Sequence, residues 1–112
     1  MAHFSTHVLD TVRGEPASGV VVDIHRLRQA GRQHLQTLTT GADGRAGGQQ
    51  LEPGAYELTF HAGDYFRAAG VKLPDPPFLD EVVIRFGIAD PAGRYHVPLL
   101  LAPYSYSTYR GS

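Results

Sequence analysis

The 112-residue chain contains no cysteine. Disulfides, thiolate nucleophiles and cysteine-ligated zinc are therefore excluded. Lysine is nearly absent: Lys72 stands alone among ten basic residues, and the formal charge is only −1. No basic field exists for nucleic acid or an anionic membrane surface. Long apolar runs are missing too. The longest, Val97 to Pro103, falls far short of the ~20 residues that span a bilayer. The opening Met-Ala-His-Phe-Ser-Thr-His has neither a basic start nor an apolar stretch, so it does not read as a secretory signal. A cytoplasmic protein is the expectation. His3 and His7 are spaced for one face of a helix, but on a strand they would lie over ~10 Å apart, and with no acidic cluster beside them no metal site is expected.

What remains is 42% apolar and 19% charged, the balance of a soluble globular domain. The length suits one domain over residues 1–112 with one hydrophobic core.

The pattern along the chain is of short strands. Phe4 to Val12 is β-branched and carries His7; Arg13-Gly14-Glu15-Pro16 turns it. Val20 to Leu27 alternates, and His34 to Thr40 follows a turn at Gln29-Ala30-Gly31. Gly41 to Gly48 reads as a glycine-rich loop with a tight turn at Asp43-Gly44, which puts Arg45 on constrained backbone. Ala55 to His61 alternates with Tyr56, Leu58 and Phe60 inward. Asp64 to Ala69 predicts one short helix, with Asp64 as N-cap and Gly70 at its end. Leu73-Pro-Asp-Pro-Pro77 predicts an extended connection. Glu81 to Ile88, Arg94 to Leu101 and Tyr104 to Arg110 complete the strands. Pro98 gives no ladder hydrogen bond, which demands an edge or a local irregularity. Seven or eight strands at this spacing predict a β-sandwich.

Most candidate chemistry is weak taken singly. His25, His34 and His61 read as solvated surface imidazoles, and His3 as part of a frayed start. Tyr104 and Tyr106 read as ordinary packed-strand residues. His7 and His96 stand apart, because a half-buried imidazole beside Ser-Thr or before an apolar run needs hydrogen-bond partners. Arg45 on its turn suits an anion or a polarised carbonyl. Ser105, Ser107 and Ser112 lack a nucleophile elbow.

Together these stretches carry a resemblance. Thr6-His-Val-Leu-Asp10, Gly14-Glu-Pro-Ala17, Asp43-Gly-Arg45, Phe86-Gly-Ile88 and Tyr95-His-Val-Pro through Tyr109-Arg-Gly-Ser112 resemble the 5-hydroxyisourate hydrolases, transthyretin-related enzymes of urate breakdown. The terminal Tyr-Arg-Gly-Ser separates those hydrolases from the hormone carriers of the same fold. The resemblance implies an all-β, transthyretin-like sandwich of two four-stranded sheets with a short helix after the fifth strand. It implies a homotetramer, a dimer of dimers, with sites in a channel between subunits. It implies catalytic roles for His7, Arg45, His96 and Ser112, and substrate contacts from His7, Arg45 and Tyr109. Arg110 would line the site or be salt-bridged within the interface. The substrate would be 5-hydroxyisourate, with no cofactor. The alternative is a non-catalytic carrier of a small aromatic ligand.

Overall fold

A computed structural model describes residues 1–112 throughout. Nine strands and one helix follow in the order β1 Ala2–Asp10, β2 Glu15–Pro16, β3 Val21–Arg28, β4 Gly31–Thr39, β5 Arg45–Leu51, β6 Gly54–His61, α1 Ala62–Ala68, β7 Glu81–Ile88, β8 Arg94–Ala102 and β9 Ser105–Thr108. They form two sheets. β1 is the hub of the first: β8 runs parallel along one side, and β5 and the two-residue β2 share the other, with β9 beyond β8. The second sheet has the order β4-β3-β6-β7. The expected sandwich is present, its first sheet lengthened by the stub β2. α1 follows the fifth of the long strands.

Alternation explains the layering. Every second residue of β1 is buried, from Ala2 through Phe4, Thr6 and Val8 to Asp10. They meet Val22 and Ile24 of β3, Tyr56, Leu58 and Phe60 of β6, and Val97, Leu99 and Leu101 of β8 in one core. Each large apolar side chain closed off from water there contributes about 1.5–3 kcal/mol. Several buried polar groups are paired: the Thr6 hydroxyl donates to the Val97 carbonyl at 2.6 Å, and the Tyr65 hydroxyl to Asp10 at 2.7 Å, whereas the buried Thr59 hydroxyl has no partner within the chain.

Several expectations need correction. His3 is not frayed, because β1 already begins at Ala2 and the His3 N–H donates to the Gly93 carbonyl. The glycine-rich stretch is not all loop: Arg45 to Leu51 is β5, bulged where β1 passes from Phe4 to Ser5. The ladder to β1 supplies there what strand propensity does not. The helix starts at Ala62, so Asp64 lies in its first turn rather than at the cap. β6 runs straight into α1, and the His61 ring is engaged elsewhere. Pro98, expected at an edge or a local irregularity, lies in an interior strand whose ladder is locally interrupted. Its carbonyl accepts from the Thr108 hydroxyl, on the side where β9 pairing stops at Thr108 and resumes only at Gly111 opposite His96. The interruption falls where Pro98 has no N–H to give.

Tyr104 and Tyr106 are exposed, not packed, and Tyr104 rests against Phe78 in the β8–β9 turn. The histidines of the second sheet are not freely solvated either. Asp23 of β3 accepts from His61 Nε2 at 2.8 Å and from the Thr37 hydroxyl, and His34 Nε2 lies 3.4 Å away. The half-buried His25 ring stands edge-on to His34. Beside them Glu57 is buried between Arg32 and Arg85. Burial pushes its carboxyl up, but the two guanidiniums pull it further down.

The hydrogen bonds from His61 and Thr37 hold Asp23 at about 2, below its ordinary 3.8. A carboxyl with a lowered folded pKa stabilises fully above its unfolded value, and loses that contribution as pH falls through the folded one. At ~1.4 kcal/mol per pH unit, this lowering sets a ceiling near ~2.5 kcal/mol. Asp23→Asn is therefore expected to cost about 1–2 kcal/mol near neutral pH, with the deficit shrinking as pH approaches 2. Urea unfolding of both proteins across that range measures it.

Candidate active site

The outer face of the first sheet carries the chemistry. Residues of β1 that alternate with the buried set point there, so Ser5 and His7 share that face. Arg45 is the Cα partner of His7 across β5, and His96 is the partner of Ser5 across β8. The ladders alone thus bring Arg45, His7 and His96 onto three adjacent strands. With strands about 4.8 Å apart and diagonal neighbours about 7–8 Å apart, one flat ring can touch all three side chains.

His7 Nε2 lies 2.8 Å from the Asp43 carbonyl oxygen. A carbonyl only accepts, so Nε2 carries the proton. The neutral ring therefore has its lone pair on Nδ1. Gly44 permits this arrangement: its φ is +76°, and a Cβ there would lie 2.4 Å from the Val8 carbonyl oxygen. The Asp43 side chain closes the turn by accepting from the Arg45 N–H at 3.0 Å. Its other oxygen is 3.9 Å from Arg45 Nε, with both side chains well exposed. Such a pair is worth at most about 1 kcal/mol, so the guanidinium is readily drawn to a better anion.

His96 is more enclosed. Its Nδ1 lies 2.7 Å from the Ser5 hydroxyl, and its carbonyl accepts the Gly111 N–H at 2.8 Å. Gly111 passes so close that a Cβ on it would lie 2.5 Å from His96 Cδ2. Burial lowers the His96 pKa, and the nearby Arg45 guanidinium lowers it further. The lowering favours the neutral form of the ring.

The tail divides. Gly111 lies against His96, but Ser112 is exposed and makes no hydrogen bond within the chain. Tyr109 is also exposed and turns the other way. It lines a cavity of about 440 Å³ at the open edge between the sheets, with Ile84, Phe86, Tyr95, Val97 and Arg110. Tyr95 and Val97 point into the sandwich, so this cavity opens on the opposite side of β8 from His96. Arg110 has no carboxylate partner in this chain; its guanidinium lies over the Tyr95 ring at 4.2 Å and donates to the Arg94 carbonyl. Within one chain, then, His7, Arg45 and His96 converge with Gly111, while Tyr109 and Ser112 do not join them.

Ser5 and Asp43 were not singled out from sequence. Ser5 is read only as a member of a polar strand until the β1–β8 register is known. Asp43 was visible as a turn residue, but its use of a backbone carbonyl to orient His7 leaves no trace in residue type.

No group of histidine, aspartate or glutamate side chains has the geometry to hold a metal ion. No helix is long and apolar enough to cross a membrane.

Comparison with known proteins adds the following. The family described as HIUase/Transthyretin matches residues 4–111. The chain is 58% identical to 5-hydroxyisourate hydrolase 2 of Rhizobium meliloti, over 96% of this chain and 94% of that protein. It is 40% identical to the mouse 5-hydroxyisourate hydrolase, over 96% and 93%. Among solved structures, the 5-hydroxyisourate hydrolase of Klebsiella pneumoniae superposes with a TM-score of 0.84 at 37% identity, covering both chains fully. An (S)-allantoin synthase superposes at 0.89 with 40% identity over 99% of this chain, which spans 44% of that longer one.

Proposed function

The chain belongs to the HIUase/Transthyretin family, and from that premise we propose that it hydrolyses 5-hydroxyisourate to 2-oxo-4-hydroxy-4-carboxy-5-ureidoimidazoline, a step of urate breakdown. The observation that carries this reading is the convergence of the Arg45, His7 and His96 side chains on one open sheet face. The hydrolase names of the relatives support it over a carrier role.

Water is a poor nucleophile at neutral pH and needs a base. His7 is that base in our reading, because its Nε2–H is committed to the Asp43 carbonyl and Nδ1 is left to accept a proton. The water oxygen bonds to a carbonyl carbon of the six-membered ring. Negative charge collects on the carbonyl oxygen, which Arg45 faces with five fixed donors. Collapse breaks the ring C–N bond, and the departing nitrogen takes up the proton that water gave. One ureido nitrogen and one carboxyl group result, and the carboxyl releases water's remaining proton to solvent to become a carboxylate. No electron is transferred, so no redox cofactor is called for. Ser112 would pass a proton and Tyr109 would contact the substrate.

Neither of those two residues reaches the triad in a single chain, and the reading therefore includes self-association. β7 and β9 are sheet edges flanking the same apolar cavity, and β9 is exposed along its whole length. Unprotected edges of this kind pair with other strands. We propose that copies of the chain meet there and stack their outer faces into a homotetramer, which would carry the tail of one subunit to the triad of another. The setting we propose is cytoplasmic, which cell fractionation tests. Light scattering of the purified protein tests the assembly through its mass. Freshly generated 5-hydroxyisourate, followed by absorbance against its spontaneous decay, tests the activity. Decay at the uncatalysed rate in the presence of folded protein would refute the hydrolase reading.

A further inference from the structure

The two site histidines are held differently, and the second hold has a consequence for the chemistry. Ser5 and His96 are partners in the parallel β1–β8 ladder, ninety-one residues apart in sequence. Their side chains meet on the outer face at 2.7 Å. A hydroxyl has one proton and two lone pairs, so it can either donate to an imidazole nitrogen or accept from it. The Ser5 hydroxyl has no other hydrogen-bond partner in the chain, whereas its neighbour Thr6 is already committed to Val97 on the opposite face. Donation to Nδ1 uses the only acceptor within reach. Acceptance from Nδ1 would leave the hydroxyl proton of a part-buried serine without a protein partner, which is the costlier arrangement.

We propose that Ser5 is a positioning residue that fixes the tautomer of His96, donating to Nδ1 and so keeping the proton on Nε2. Gly111 closes the Cδ2 side of the ring. The Nε2–H is then the one polar group His96 presents outward. It joins the Arg45 guanidinium as a second donor to the developing oxyanion, while His7, held in the same tautomer by a carbonyl, exposes a lone pair on Nδ1. Two imidazoles of one protonation state thus present opposite faces: a base from His7 and a donor from His96. The assignment deepens the hydrolase reading and rests on it for its catalytic meaning.

The test combines a spectroscopic and a kinetic readout on the full-length protein. Long-range ¹H–¹⁵N spectra of the wild type at neutral pH should show His96 Nδ1 as the unprotonated nitrogen and Nε2 as the protonated one. Ser5→Ala should mix the two tautomers and lower kcat by roughly 5–20-fold with KM nearly unchanged, the scale of one orienting hydrogen bond. Ser5→Thr keeps a hydroxyl at the same place and should restore both the spectrum and most of kcat. A proton on Nδ1 in the wild type would overturn the proposal. So would Ser5→Ala with unchanged spectrum and turnover, or a folded Ser5→Thr as impaired as Ser5→Ala, which would mean that the serine merely packs. The spectra require no substrate. A protein that shows the expected tautomer but fails to turn over 5-hydroxyisourate would refute the hydrolase reading and leave the tautomer assignment standing.

Discussion

Alanine at His7, Arg45 or His96, one at a time, is expected to lower kcat/KM by roughly 10²–10⁴-fold, the usual scale for losing a general base or an oxyanion donor. All three side chains lie on the outer face of the first sheet, away from the core cluster. Each variant should therefore unfold within about 1 kcal/mol of the wild type, so a loss of rate is not a loss of fold. The three are further expected to fail in different ways. Without the His7 imidazole the attacking water has no base, and residual activity should climb with pH as hydroxide replaces it. Without the Arg45 guanidinium a charge that depresses the His96 pKa is gone. That pKa should rise toward the ordinary imidazole value, with burial still holding it down, and an NMR titration would follow it. The sign matters: a lowered histidine pKa means a ring that stays neutral further into acid, so the Arg45 variant should lose its neutral His96 at a higher pH than the wild type. Near-normal turnover in any of the three variants would remove that residue from the mechanism.

Some of this was legible in the residues. The alternation of Tyr56-Glu-Leu-Thr-Phe60 announces which side chains join the core, because only one register puts every apolar side chain inside, but not that Glu57 and Thr59 on the other face are buried too. The short helix was legible in kind from Ala68, Ala69 and Gly70. Its first residue was not, because the His61 ring that occupies the cap position is drawn to Asp23, and long-range pairing leaves no local mark. β5 was missed for a related reason. Arg-Ala-Gly-Gly-Gln-Gln is poor in strand formers, and only the neighbouring β1 makes it a strand. The composition of the site came from the family resemblance together with the unusual company of His7 and His96. Its geometry did not, since the meeting of residues 5, 7, 45 and 96 depends on a parallel register between the two ends of the chain. Exposure of Tyr106 ran against expectation because β9 lies at an edge, where alternation no longer separates core from solvent, and Tyr104 is exposed because it falls in the β8–β9 turn rather than in the strand.

Removing Tyr109 to Ser112 is expected to abolish turnover, a larger effect than the short length of the segment suggests. Within the chain it contributes two anchors. Gly111 gives its N–H to the His96 carbonyl and passes within contact of the ring, and Arg110 lies on Tyr95. An ordered terminus costs conformational entropy of about 1–2 kcal/mol per residue for the backbone alone. The Gly111 hydrogen bond, the Arg110 hydrogen bond to the Arg94 carbonyl and one cation–π contact offset only part of the cost of four ordered residues. The proposed meeting of subunits at β9 would add contacts that hold the tail further. The two contributions can be separated. Gly111→Ala forces a Cβ into the His96 ring without shortening the chain, so it should displace the ring and depress kcat while the oligomeric mass is kept. The four-residue deletion should remove activity and also weaken association, read as a fall in mass by light scattering on dilution. A truncated protein that still hydrolysed the substrate at the wild-type rate would show that the tail has no part in the site, and would leave Arg45, His7 and His96 to act alone.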